Sequence, residues 1–326
     1  RSKGIGIRML SNGYALNEKN LGEYKNAGLS EVFLHIDSLQ KRGDVQGLKS
    51  EKELNGLRTK ISRLVVNSGL ICSAVITLYQ KSLEELPEVV DFVFKNKDIT
   101  RLLVTCCTDF DAIVQGFSNC EVLGHQYVRK NVKNSDDAAG QSTLSRQAVS
   151  ISDVKRVLNR GFGLVSFAHV GSNVNDSDER WIFYYTFVIA LPEDKYEYFH
   201  LGPKFSEIVS LRNKIAKWRG RPYSFGNVMS TKTCIAACLL YAAASLNFRT
   251  MFQSLRFLMK LRQPGAEIFA KSLVFQQGPN INEDGKIEYC KDCPDATIRN
   301  GRLIPVCLAD VLDALPAEFL VSKRST

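Results

Sequence analysis

Over its first hundred or so residues the chain alternates short apolar runs with segments of helical periodicity, and this alternation limits the possible fold more than any other feature. The run Gly4-Ile5-Gly6-Ile7-Arg8-Met9-Leu10 predicts a strand ending in the turn Ser11-Asn12-Gly13. A helix is expected from about Asn17 to Ala27, closed by Gly28. The next strand, Val32-Phe33-Leu34-His35-Ile36, stops at Asp37-Ser38, and a polar loop leads to a helix over about 50–67 that Gly69 ends. A third strand spans Ile71 to Leu78. Ser82-Leu83-Glu84-Glu85 then reads as a capping box opening a helix that carries Leu86, Val89, Val90 and Val93. The fourth strand, Arg101 to Thr105, ends at Cys106-Cys107-Thr108-Asp109. Apolar strands in regular βα alternation predict a parallel sheet with helices outside, either an open doubly wound sheet or part of a barrel.

In either architecture the functional groups gather at the carboxyl ends of the strands. Ser11-Asn12-Gly13, Asp37-Ser38, Thr77 with Tyr79, and Thr108-Asp109 are therefore nominated together. They are short polar groups suited to hydroxyls, amines or carboxylates, although Ser-Asn-Gly alone is also a good tight turn and Asp37 alone a good cap.

A second candidate lies near the other end. Cys290-Lys291-Asp292-Cys293-Pro294-Asp295-Ala296-Thr297 is followed by Asn300-Gly301 and then Pro305-Val306-Cys307. A Cys-x-x-Cys pair aims two sulfurs at one ion, and Asn-Gly is a strong reversal signal that returns Cys307 toward them. Zinc wants a fourth Cys or His, which is not nearby in sequence. An iron-sulfur cluster, which can take a fourth ligand from elsewhere or leave one iron open, fits the count better.

The 326 residues carry nine cysteines, an odd number without a dense framework, and no amino-terminal signal peptide, which predicts a reducing, cytoplasmic setting. The net charge of +9 suggests an anionic partner, but the basic residues read as dispersed. Lys133 to Ser142 reads as an exposed loop, and a helix from about Ser152 to Arg160 is expected to stop at Gly161. The aromatic residues of 162–200 predict packing in a core, and His169 and His200 structural roles. Residues 233–248 form an apolar run too short to span a membrane, so a buried helix is expected. The next stretch, Arg249 to Arg262, reads as a basic amphipathic helix docked on its own core or resting on a lipid surface.

Leu10-Ser11-Asn12-Gly13-Tyr14-Ala15-Leu16 resembles the strand-Thr-Asn-Gly segment of radical S-adenosylmethionine (radical SAM) enzymes, and Lys25 to Ser38 resembles their next helix and strand. Ala74 to Gln80, with Leu83 to Phe94 after it, is similar to the fifth strand of that barrel and its helix. The Cys-x-x-Cys-Pro-Asp-Ala-Thr tail with Pro-Val-Cys resembles one seen where extra cysteines bind an auxiliary [4Fe-4S] cluster. The resemblance covers about residues 4–110 and 270–310. It implies an α/β fold: a partial (β/α) barrel of parallel strands, its first strands missing, with an α-rich C-terminal extension holding the cysteine cluster. Segments 1–120, 121–150, 151–270 and 271–326 then become partial barrel, linker, mixed and mostly helical extension, and cluster segment.

The family's Cys-x3-Cys-x2-Cys and Gly-Gly-Glu are absent. Cys234 and Cys238 have the first spacing, but Tyr241 takes the third place in a helical setting. The resemblance therefore implies a fragment or a degenerate relative, unable alone to cleave SAM. In the full-length enzyme it implies SAM, a second [4Fe-4S] cluster and a 5′-deoxyadenosyl radical, with ferredoxin or flavodoxin as reductant. It also places Asn12 and Gly13 beside SAM, Asp37 or Ser38 on ribose or substrate, Thr77 toward adenosine, and the auxiliary cluster on Cys290, Cys293 and Cys307. Catalytic residues stay unknown, and the substrate is unspecified among peptides, lipids and small molecules. The alternative is a non-catalytic zinc module that binds nucleic acid or lipid through a basic surface.

Overall fold

The computed structural model describes residues 6–40, 42–45, 50–108, 119–122, 125–129, 148–168, 179–218, 229–281, 287–288, 296–299, 302–306 and 319–322. Strands β1 (Ile7–Ser11), β2 (Leu29–His35), β3 (Ile71–Leu78) and β4 (Ile99–Cys106) lie side by side in chain order and all parallel. Helices α1 (Glu18–Asn26), α2 (Asn55–Asn67) and α3 (Leu86–Lys95) connect them. Right-handed crossovers between neighbours laid down in sequence put every connecting helix on one face. Val32, Leu34, Ile36 and Cys72 accordingly meet α1 and α2, while Ala74, Ile76, Leu102 and Val104 meet α3.

Beyond β4 come β5 (Asn119–Val122), β6 (His125–Arg129), α4 (Ile151–Phe162), β7 (Phe167–Ala168), β8 (Trp181–Leu191), β9 (Lys195–Leu201), α5 (Lys204–Trp218), α6 (Thr231–Ala244), α7 (Phe248–Met259) and β10 (Glu267–Gln277). β10 returns to lie parallel beside β4, with Ser272 opposite Arg101. β8 pairs antiparallel with β10 and carries β7 and β9 on its other edge. The result is a mixed α/β sheet of eight strands in the order β1-β2-β3-β4-β10-β8-β7, with β9 also on β8. It is open, not a closed barrel, and runs through both the 1–120 and 151–270 segments. α4 joins α1 to α3 on the first face, where Val154, Val157 and Leu158 pack against Leu273 and Phe275. α6 and α7 cover the opposite face of β8, β9 and β10.

Short strands complete the description. β11 (Asn280–Ile281) pairs with β12 (Ile287–Glu288), β13 (Ala296–Arg299) with β14 (Arg302–Pro305), and β15 (Phe319–Ser322) with β6. No helix among the described residues is long and apolar enough to cross a membrane.

Several local expectations are corrected. β2 begins at Leu29, three residues before the expected start, because Ser30 Oγ donates to Ile7 O and ties its start to β1. α2 begins at Asn55, not near 50, and the residues before it serve the site described below. Ser82 opens no α-helix: it lies in a 3-10 turn over Gln80–Glu85, where its Oγ accepts from Tyr79 N, and Pro87 marks the true α-helical start. Gly161 is inside α4, and Gly163, at φ 62°, is the cap. Lys133 to Ser142 lies outside the described residues.

The 233–248 run is only half buried. Cys234, Cys238 and Tyr241 of α6 face the sheet, whereas Leu239 and Leu240 face outward. The aromatic residues do pack as a core: Phe199 lies 6.1 Å from Tyr241 and 5.5 Å from Phe257 between ring centroids. His200 is structural, its Nδ1 2.9 Å from Thr186 Oγ1, and burial pushes its imidazole down to about 4, so it is neutral near pH 7. His169 lies outside the described residues.

Candidate functional site

Alternation along β2 sends Glu31, Phe33 and His35 to the face opposite α1 and α2, and Asp37 continues that row past the strand end. The row is polar at both ends. At the amino end buried Glu31 meets the exposed Arg8 at 2.8 Å and accepts from buried Ser73 Oγ at 2.6 Å. At the carboxyl end His35 Nε2 lies 2.9 Å from Asp37 Oδ2 and 3.2 Å from Thr77 Oγ1 of the neighbouring strand.

Asp37 is saturated. Its Oδ1 accepts from Leu39 N and Gln40 N, both at 3.1 Å, and its Oδ2 takes Thr77 N at 3.3 Å in addition to His35. Burial alone would raise its carboxyl, but the hydrogen bond and charge of His35, with the Thr77 and Leu39 N–H groups, hold it below the usual carboxylate range. A carboxylate with its lone pairs so filled organises the site and leaves ligand contact to others. Burial, then the Asp37 charge, push the Tyr79 phenol up, so Tyr79 keeps its proton as a donor.

Two polar oxygens, one of them in the loop on Asp37, are unmet. Gln40 Oε1 and Thr108 Oγ1 are buried without a hydrogen-bond partner among the described residues. A buried polar atom left unpaired costs about 1–3 kcal/mol, so such atoms mark where a polar ligand or water would be bound. His35, Gln40, Thr77 and Tyr79 thus form the responsive edge of the site, with Thr108 past the end of the neighbouring strand β4, and Asp37 holds it in place.

The loop bearing Asp37 and Ser38 is clamped from behind. Ser38 N donates to Glu51 Oε1 at 2.8 Å, and Glu51 Oε2 pairs with Arg58. The Arg58 guanidinium also donates to Ile36 O at 2.7 Å, to Glu51 O at 2.7 Å and to Asn55 Oδ1 at 2.8 Å.

Asp37, Ser38 and Thr77 therefore share one site. Asn12 and Gly13 stand apart, at the end of β1: Asn12 Oδ1 accepts from Tyr14 N at 3.1 Å, and Gly13, at φ 78°, is buried against Leu34 and Ile61 on the helix-covered face. Their link to the site is Arg42, which donates to Asn12 O while its own N donates to Gln40 O. The sequence reading passed over His35, although its i, i+2 spacing from Asp37 was the signal that the two share a face.

Cys290, Cys293 and Cys307 lie outside the described residues, but the strands between them are described. β13 and β14 pair antiparallel with Arg299 opposite Arg302, and the ladder ends with Ala296 opposite Pro305. In the sequence Cys293 is three residues before Ala296 and Cys307 two after Pro305. Among the described residues no group of three or more His, Cys, Asp or Glu could hold a metal ion. Three buried thiols there are ill suited: burial pushes Cys72 and Cys106 up to about 12 and Cys234 up to about 11. Cys238 is buried with its Sγ 3.1 Å from Ser254 Oγ. The Cys234/Cys238 spacing is thus helix packing.

No protein-family model matches the chain, and no curated protein matches it either.

Proposed function

We propose that this chain is the greater part of a radical SAM enzyme, a partial (β/α) barrel that binds the adenosyl part of SAM at the carboxyl edge of β2 to β4 and an auxiliary [4Fe-4S] cluster on Cys290, Cys293 and Cys307. The observation that carries the reading is the chain-order parallel sheet ending in a preformed polar site. A doubly wound sheet switches direction about its first strand, whereas β1 to β4 are added in simple succession with α1 to α3 on one face, the way a (β/α) barrel begins. The β13–β14 register adds support, because it sets Ala296 opposite Pro305, described residues close in sequence to Cys293 and Cys307.

In this reading His35, fixed by Asp37 and Thr77, offers its free ring edge to a ribose hydroxyl. Gln40 Oε1 accepts from a hydroxyl or exocyclic amine, and Tyr79 donates. Asp37 positions these groups and does not touch the ligand. SAM, bound with its own cluster, supplies radical chemistry. The substrate remains one of the peptide, lipid or small-molecule classes, with ferredoxin or flavodoxin as electron donor.

The test is amide NMR of the full chain titrated with S-adenosylhomocysteine to about 1 mM, a range suited to weak binding. Shifts should cluster on residues 35–40, 77–79 and 108, and His35→Ala should weaken the response about tenfold, as expected for losing a hydrogen bond to a charged or polar ligand. Shifts confined to other strands, or no shifts, contradict the reading.

A further inference from the structure

We propose that the outer surface of α5, α6 and α7 docks on an anionic membrane surface. From Ile208 to Ala266 the chain holds ten Lys and Arg and no Asp or Glu. Removing these ten from the 43 cations leaves 33 against 34 acids, so the whole positive excess of the protein arises in this one stretch, not in residues dispersed along the chain.

The same stretch carries apolar side chains that its own core does not use. Tyr241 of α6 and Phe257 of α7 both pack on Phe199 of β9, which fixes the sheet-facing side of both helices. On the other side α7 exposes Phe248, Met251, Phe252, Leu255 and Met259, a single stripe at i, i+3, i+4, i+7 and i+11. Arg249, Gln253 and Arg256 form a parallel exposed stripe next to it. α6 adds Leu239 and Leu240, and α5 adds Trp218, 83 % exposed.

The turn between α6 and α7 sharpens the point. Leu246 adopts φ 49°, a conformation that a branched side chain disfavours and that Gly or Asn usually supplies, and it is 88 % exposed beside Phe248 at 89 %. A strained leucine held out at a turn tip, next to an aromatic residue and on the same face of the chain's basic stretch as exposed Arg249 and Arg256, matches an interfacial anchor: apolar groups enter the acyl boundary while Lys and Arg meet lipid phosphates. Nucleic acid would use the cations and stack on aromatics, but gains little from Leu239, Leu240, Leu246 and Leu255.

The chain holds two tryptophans, Trp181 in the core and Trp218 on this surface, which gives a direct readout. The full chain is sedimented with sucrose-loaded phosphatidylcholine vesicles, with and without about 30 mol % phosphatidylglycerol, at low and high salt. Binding should require the anionic lipid, weaken with salt, and shift Trp218 emission to the blue. Leu240→Glu with Phe252→Glu, both at exposed sites, should lower partitioning about tenfold or more while leaving the circular dichroism unchanged. Equal binding to neutral vesicles, or no vesicle binding, overturns the proposal. So does a salt-sensitive complex with single-stranded RNA that Phe252→Glu leaves intact in the absence of vesicle binding, or a dimer abolished by Phe252→Glu without vesicle binding.

Discussion

Arg58→Met is expected to cost roughly 3–5 kcal/mol of folding stability, the range for removing one partner of a buried ion pair. Arg58 is 1 % exposed, and its guanidinium serves Ile36 O, Glu51 O, Asn55 Oδ1 and the Glu51 carboxylate at once. The methionine would fill the space but leave the buried Glu51 charge uncompensated and two carbonyls unpaired. Glu51 would then also lose its fixed position under Ser38 N, so the loop that carries Asp37 should loosen before the rest of the fold. Urea denaturation should give a lower midpoint, and the amides of residues 36–40 should exchange faster than those of β3. Adding Glu51→Gln to Arg58→Met should restore part of the loss, because the stranded charge is gone. An Arg58→Met protein as stable as the parent would mean the pair does not hold the site.

Gly13→Ala should cost about 2–4 kcal/mol. Left-handed backbone contributes about 1–2 kcal/mol and overpacking about 1–3 kcal/mol, with partial relaxation trimming the sum. An added Cβ would meet Leu34 Cδ1 at 2.8 Å and Ile61 Cδ1 at 3.0 Å, in the packed layer between β2 and α2. Gly163 separates the two effects: it has φ 62° but nothing within 4 Å of an added Cβ, so Gly163→Ala should show the backbone cost alone. Thermal denaturation of both variants reads the difference, and equal losses would remove the packing argument.

The first four strands and three helices were legible because local signals agreed. Gly28 and Gly69 sit at positive φ where helix ends were expected, and β3 has the bounds Ile71–Leu78 that its apolar run suggests. The join of β10 to β4 was not legible, since Ser272 and Arg101 are 171 residues apart and parallel pairing leaves no short-range mark. β8 escaped because it is buried on both faces: Trp181-Ile182-Phe183-Tyr184 shows no alternation by which a strand could be distinguished from a helix. In the site, polar residues at strand ends were found, whereas the orphan acceptor of Gln40 depends on loop geometry that no spacing encodes. The roles also moved: Asp37, nominated to hold a ligand, has its lone pairs taken by His35 and three backbone N–H groups.

The proposed function depends on an iron-sulfur site built by Cys290, Cys293 and Cys307. Anaerobic reconstitution of the full chain with iron and sulfide, followed by metal analysis and optical spectroscopy, tests it most directly. Brown protein is expected, with about four iron and four sulfide per chain and broad absorbance at roughly 400 nm, as thiolate-bound clusters give, all lost in Cys290→Ala/Cys293→Ala/Cys307→Ala. Colourless protein holding only zinc, or a triple variant that retains its iron, would contradict it.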